Sequence, residues 1–272
     1  MATLAAALFL LGMLYLGLRW LERSVTFHPV GYSADWTKPA AARDVWFTTK
    51  DRVRLHGWFF DAREQPAQAT VIYFHGNGGN ITDVGWVGER LMSKGFAVLL
   101  FDYRGYGRSE GKVKDEAALY ADAHAAYELI TRDTSADSLV LYGQSLGTTA
   151  VVELASQRRC GAIVLESGLS SATEMAKSVL PWFPRSLSFV LQSQFDSVRK
   201  LRDVKIPVLV THGDPDPVIP TEQGRQLFAA ANEPKKLLIF PGAGHNVFGT
   251  LGQPYLDQVT QFIRESLSLK KD

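Results

Sequence analysis

Ser138-Leu139-Val140-Leu141-Tyr142-Gly143-Gln144-Ser145-Leu146-Gly147 is the stretch whose reading decides the fold. An apolar run of strand length enters a turn with a serine between two glycines. A small-residue helical stretch, Thr148-Thr149-Ala150, leaves it. This is the G-x-S-x-G pattern in the strand-turn-helix setting that it requires. The glycines have a geometric reason, because side chains there would collide where strand and helix converge. The turn lifts the Ser145 hydroxyl clear of the backbone, near a helix N-terminus whose positive end favours developing negative charge. Ser145 is therefore the candidate nucleophile.

Similar apolar runs flank this stretch. They are Val71-Ile72-Tyr73-Phe74, Ala97 to Phe101, Ala162 to Leu165, Val208-Leu209-Val210 and Leu237 to Phe240. Amphipathic stretches such as Glu116 to Thr131 and Thr221 to Ala231 separate them. The alternation predicts an α/β fold, a mostly parallel sheet with helices on both faces. Upstream, Val45 to Thr49 and Val53 to Phe60 bracket Lys50-Asp51-Arg52, the signature of a preceding antiparallel hairpin. Sheets of this kind carry their functional loops beyond the carboxyl ends of the strands.

Three such loops carry chemistry. After Phe74 comes His75-Gly76-Asn77-Gly78-Gly79-Asn80, whose glycines allow backbone N–H groups to point inward at an oxyanion. The N–H groups of Asn77 and Leu146 are the expected pair. A phosphate-binding loop is the alternative, but no Lys follows the glycines at the spacing it requires. Gly105-Tyr106-Gly107 with Gly111 falls short of a dinucleotide fingerprint, since Glu110 stands at the third glycine position, and is read as turn chemistry.

After Val210 comes His212-Gly213-Asp214-Pro215-Asp216-Pro217, where two carboxylates compete to orient a catalytic base. Asp214, directly before a proline, suits a role in the turn; Asp216 is the favoured acid. Gly244-His245 follows the last central run and completes the chain order Ser, Asp, His. Of six histidines, only His245 has that order and position. His75 and His212 open their loops, and His28, His56 and His124 lie outside any strand-end loop. Metal-ligand spacing is missing, so neither a metal nor a cofactor is expected.

The totals fit this reading. Hydrophobic residues make up 46% and charged residues 21% of 272, enough for one large domain with a sizeable core. A net charge of +1 gives no reason to expect nucleic acid as a partner. The single cysteine, Cys160, rules out an internal disulfide and reads as a small apolar residue.

The amino terminus departs from that picture. Ala2 to Leu18 carries no charge, then Arg19, Trp20, Glu22 and Arg23 follow. Its length is near the minimum of roughly 17–25 residues for a spanning helix. A single-pass membrane anchor over residues 1–24 is expected, ahead of a catalytic domain over 25–272. The basic residues after it would place that domain in the cytoplasm.

Taken together, these motifs resemble the α/β-hydrolase superfamily, and within it the membrane-anchored, serine-aminopeptidase-like branch. The resemblance rests on His75-Gly76-Asn77, Phe101-Asp102-Tyr103-Arg104-Gly105-Tyr106-Gly107, Tyr142 to Gly147, His212-Gly213 with Asp216 and Ile219-Pro220, and Gly244-His245. The apolar front end leading into Phe27-His28-Pro29 belongs to it too. In the family's His-Gly-x-x-Asp pattern the fifth residue is the triad acid, which maps to Asp216. The resemblance implies a serine hydrolase acting on carboxylic esters through an acyl-enzyme. Branch members that remove acyl groups from lipidated proteins make a thioesterase the alternative, and a non-catalytic binding pseudohydrolase is the third reading. Residues 170–205 exceed a simple crossover and are expected to form a small cap over the pocket. An ester or thioester with an acyl group is the expected partner, the membrane the expected neighbour.

Overall fold

A computed structural model of the chain describes residues 2–32, 37–62, 66–182, 184, 188 and 191–268. Ten strands are present among them. β1 (His28–Pro29) pairs only with β5 (Gly78–Gly79). The other eight build one sheet: β2 (Ala42–Thr48), β3 (Arg54–Phe60), β4 (Ala69–Phe74), β6 (Phe96–Phe101), β7 (Leu139–Gln144), β8 (Ala162–Glu166), β9 (Val208–Asp214) and β10 (Lys235–Pro241). Their order is β10-β9-β8-β7-β4-β6-β3-β2. Only β3 runs against its neighbours, and β2–β3 is the expected hairpin.

The sheet is parallel because its central strands are apolar on both faces. Every residue of β4 and β6 is buried. Strands of that kind need helices on both sides, since either face left bare would expose a layer of Val, Ile, Leu and Phe. One layer comprises α3 (Glu116–Ile130), α4 (Gly147–Gln157), α6 (Ser197–Leu201) and α7 (Thr221–Ala230), which set Leu119, Val151, Leu201 and Leu227 into one core. On the opposite side α2 (Ile81–Met92), α8 (Val247–Leu251) and α9 (Gln253–Ser268) bury Leu91, Phe248 and Leu256. Each such fully buried side chain contributes about 1.5–3 kcal/mol over its exposed state.

The amino-terminal expectation is corrected. Helix α1 spans Ala2–Thr26, yet among the described residues no helix is long and apolar enough to cross a membrane. The single-pass anchor, and with it the argument for a cytoplasmic domain, is not supported. The physical reason lies in the last turns of α1, which turn polar and belong to the folded body. Arg19 pairs with Glu22 at 3.0 Å, and Glu22 accepts the N–H groups of Gln192 and Ser193 at 2.9 and 2.8 Å. Phe27, next after the helix, is buried edge-on against Phe195.

Residues 170–205, between β8 and β9, contain α5 (Ala172–Val179) and α6. Val179, Leu180 and Trp182 of this segment are exposed, while Phe183, Phe189 and Val190 lie outside the described residues.

A buried charge cluster joins the hairpin to α3. Arg104 donates through its backbone N–H and Nε to the two oxygens of Asp122, and through both terminal nitrogens to Asp51. Asp122 is wholly buried. Removing one partner of a buried pair costs about 3–5 kcal/mol, because the other charge loses its compensation. Asp122→Ala is therefore expected to lower unfolding stability by about 3 kcal/mol. Asp137→Ala, which removes the exposed ion pair to Arg159, should change it by less than about 1 kcal/mol. Guanidinium denaturation of the two variants beside the parent checks the contrast.

Candidate active site

The residues singled out for chemistry come from the carboxyl ends of four strands. Ser145 follows β7 with φ of +55°, a left-handed conformation that costs energy in any residue with a Cβ. Its surroundings hold it there. The Ser145 N–H donates to Glu166 O at 2.8 Å, fastening the turn to β8. Strand β4 presses on the turn from the other side: a Cβ on Gly147 would lie 2.1 Å from Phe74 O. A Cβ on Gly143 would meet Gly147 carbonyl carbon at 2.7 Å. Only glycine permits that crossing.

His245 lies in the loop between β10 and α8. Its Nε2 is 3.0 Å from Ser145 Oγ and its Nδ1 is 2.7 Å from Asp216 Oδ2. An ionised carboxylate can only accept, so Nδ1 carries the proton and Nε2 is left to accept from the serine. Ser145 and Asp216 are buried, and His245 is half-buried. Three residues spread over a hundred positions of sequence thus meet in one line of hydrogen bonds.

The two competing carboxylates separate clearly. Asp214 sits exposed at the end of β9, where its carbonyl accepts the Gly242 N–H and its side chain meets Thr221 Oγ1. Asp216 points inward. Its Oδ1 accepts the N–H groups of Val218 and Ile219, and its Oδ2 also receives His212 Nε2 at 3.1 Å. Burial alone would raise its pKa, but the bonds from His212, His245 and Val218 outweigh it. The carboxyl is held well below the ordinary carboxylate range.

The loop after β4 brings Asn77 to the far side of Ser145. Among the described residues, neither the Asn77 nor the Leu146 backbone N–H has an acceptor within the protein. Leu146 also stands at the N-cap of α4, where the helix dipole adds positive potential.

Several residues that shape this loop have no chemical signature in the sequence. The Asn77 side chain is clamped: its Oδ1 accepts from the His28 N–H at 2.9 Å and from Tyr106 Oη at 3.1 Å, and its Nδ2 donates to His28 Nδ1. Tyr103 Oη donates to His75 O at 2.9 Å. The stretch 101–107, read as turn chemistry where its glycines cluster, is therefore the back wall of the loop. The available signal was a pair of tyrosines directly after a buried strand, since a buried tyrosine hydroxyl needs a polar partner.

Burial sets the charges around that wall. It pushes the His75 imidazole down to about 4, so the ring is neutral at pH 7 and its 3.7 Å approach to Asp102 is no ion pair. Asp102 is pushed up to about 7 by burial, against the bonds it accepts from the Ile81 and Arg108 N–H groups. No group of three or more His, Cys, Asp or Glu among the described residues is placed to hold a metal ion.

Known proteins share this architecture. The profile of the serine aminopeptidase, S33 family matches residues 65–199 and 183–251. An uncharacterized protein of Mycobacterium tuberculosis is 37% identical over 232 residues, covering 84% of this chain and 82% of that protein. Alpha/beta hydrolase domain-containing protein 17C of Mus musculus is 34% identical over 246 residues, 86% of this chain and 72% of that protein. The structure of the Pyrococcus furiosus esterase Pf2001 superposes with a TM-score of 0.72 over 88% of this chain and 97% of that one. At 21% identity, that likeness is one of fold.

The depressed Asp216 pKa has a consequence for stability. Its folded value lies below the unfolded value of about 3.9, so its bonds stabilise the native state above that pH. The contribution is lost as pH falls below about 4 toward the folded value. Urea unfolding at about pH 7 and about pH 3 should show a smaller acid-induced loss in Asp216→Asn than in the parent. Equal losses would mean that Asp216 is not held ionised.

Proposed function

Because the chain belongs to the serine-aminopeptidase-like (S33) family of α/β-hydrolases, we propose that it cleaves carboxylic esters through an acyl-enzyme on Ser145. The observation that carries this reading is the continuous line Ser145 Oγ, His245 Nε2, His245 Nδ1, Asp216 Oδ2, at 3.0 and 2.7 Å.

In this mechanism His245 takes the serine proton as Oγ attacks the ester carbonyl. Asp216 keeps the ring in the tautomer with Nδ1 protonated and stabilises the imidazolium that forms. The negative oxygen of the tetrahedral intermediate is received by the N–H groups of Asn77 and Leu146, which are free to donate to it. His245 then gives its proton to the leaving alcohol. Water, activated by the same base, releases the acid and restores the serine.

The same attack opens a thioester, and the acyl-enzyme is identical. The likeness to the alpha/beta hydrolase domain-containing 17C relatives leaves a thioesterase as the second reading, to which the membrane anchor no longer adds support. A binding role without catalysis is disfavoured by the strained φ at Ser145, an energetic cost that a mere scaffold has no reason to keep.

Labelling with a fluorescent fluorophosphonate and hydrolysis of phenyl acetate test the proposal together. Ser145→Ala should not label, and Ser145→Ala and His245→Ala should each lose at least about 10⁴-fold in kcat/KM. Asp216→Asn should lose on the order of 10³–10⁴-fold, and Asp214→Asn less than about threefold. A folded parent that labels as well without Ser145 would remove the mechanism.

A further inference from the structure

A cavity of about 510 Å³ lies on the α2 and α8 face of the sheet, lined by chain neighbours of the triad residues. That volume lies in the range of small-molecule sites, about 300–1,000 Å³. Its near wall is made by Gly76, Gln144 and Asn246, the direct chain neighbours of Asn77, Ser145 and His245. Gln144 Nε2 donates to Asn246 Oδ1 at 2.9 Å, so one hydrogen-bonded bar links the serine loop to the histidine loop along the cavity's edge. A Cβ on Gly76 would lie 3.4 Å from Ser145 Cβ, so this wall of the cavity reaches the nucleophile's side chain.

The far wall has a different chemistry. Trp86 and Arg90 stand four residues apart on α2, hence on one face of the helix. The Trp86 ring packs edge-on against Phe248 at 4.8 Å between centroids, and its Nε1 donates to Asp83 O. Its polar atom is thus satisfied while the ring remains 37% exposed. Arg90 is exposed and has no ion pair among the described residues.

The two carboxylates that share the cavity are otherwise engaged. Asp83 accepts the Asn80 N–H at 2.9 Å in the capping box of α2. Glu166 receives Tyr142 Oη, Tyr255 Oη and the Phe248 N–H, and burial pushes its pKa up. Asp83 lies beside the Gly79 turn, whereas Arg90 is seven residues further along the helix, about 10 Å at 1.5 Å per residue. The Asp83 carboxylate and the Arg90 guanidinium thus stand about two turns apart along this wall, and an anion is favoured at the Arg90 end.

We infer that this cavity receives one arm of the substrate, an apolar or aromatic group ending in a carboxylate. Trp86 and Phe248 take the body and Arg90 takes the anion. A planar guanidinium matches a carboxylate with two parallel hydrogen bonds, which makes Arg90 a specificity residue for charge as well as for length. The assignment rests on the hydrolase reading above, and it leaves to experiment which side of the ester the arm lies on.

Two matched ester pairs make the test. The acyl pair is phenyl hexanoate against the phenyl monoester of adipic acid. The leaving-group pair is 4-ethylphenyl acetate against 3-(4-acetoxyphenyl)propanoate. In one pair the anionic member should have a KM about tenfold lower at similar kcat, the size of one charge-assisted contact. Arg90→Gln should abolish the preference, Arg90→Glu should reverse it, and Trp86→Ala should raise KM for both members. Binding of 4-phenylbutanoate to Ser145→Ala, followed by calorimetry, gives a readout independent of turnover and should require Arg90. If esters are cleaved with no preference for the anion, or the preference survives Arg90→Glu, the inference is wrong and the hydrolase reading stands. If the parent cleaves no ester while Arg90-dependent binding persists, the catalytic reading falls and the site remains. Loss of both would overturn both.

Discussion

The hydrogen bond from the Ser145 N–H to Glu166 O, 2.8 Å long, holds a strained turn against the neighbouring strand. The rest of the site is arranged around that attachment. Ser167, the next residue, is itself left-handed at φ +48°. Its N–H donates to Thr211 O on β9, and its hydroxyl donates to His245 O at 2.7 Å. The Glu166 side chain accepts the Phe248 N–H at the start of α8. Two consecutive residues at the end of β8 thus hold the serine turn, the strand that delivers Asp216 and the loop that delivers His245. Their bonds are buried, where an unpaired partner costs more than the bond contributes. That asymmetry makes the arrangement rigid.

A second constraint acts on the loop after β4, the proposed oxyanion site. Glycines give the loop its conformational freedom, and freedom has to be removed before two N–H groups can stay aimed at one point. The clamp on Asn77 by His28 and Tyr106, with Tyr103 on His75 O, does this from two separate segments, β1 and the stretch after β6. Asp102 contributes from just past the carboxyl end of β6, accepting the Ile81 N–H at 2.8 Å and so fixing the start of α2. Helix α2 then carries Trp86 and Arg90 along the neighbouring cavity. The loop proposed to receive negative charge and the wall proposed to receive the substrate arm are successive parts of one supported segment.

These supports come from polar side chains placed inside an apolar sandwich, and each is satisfied by a partner far away in sequence. Tyr142, Tyr255 and Thr211 form a hydroxyl chain around Glu166, under the site. Burial raises the pKa of Glu166 and of Asp102 and lowers that of His75, against the hydrogen bonds that hold each of them. The charged carboxylate of the site is Asp216, kept ionised by the several donors that converge on it.

Much of this was open to sequence reading, for local reasons. Composition decides that β4 and β6 are buried on both faces, because the short apolar runs Val71 to Phe74 and Ala97 to Phe101 leave no polar face for solvent. The serine turn was legible because its glycines are a steric necessity within five residues. Chain order picked out His245. The hairpin, too, is local, since Lys50-Asp51-Arg52 turns the chain between two alternating runs. Other features depend on partners far along the chain. Asp216 faces His245 and Asp214 faces solvent because of how the β9 loop meets the β10 loop. The apolar run at the amino terminus suggested a membrane anchor by length and composition alone. What the structure adds is Glu22 bonded to residues about 170 positions away. A sequence determines what its neighbours force locally, namely strands, turns and a strained serine. Which buried donors find which acceptors, and which of two aspartates is held ionised, depends on distances that exist only once the sheet has brought those strand ends together.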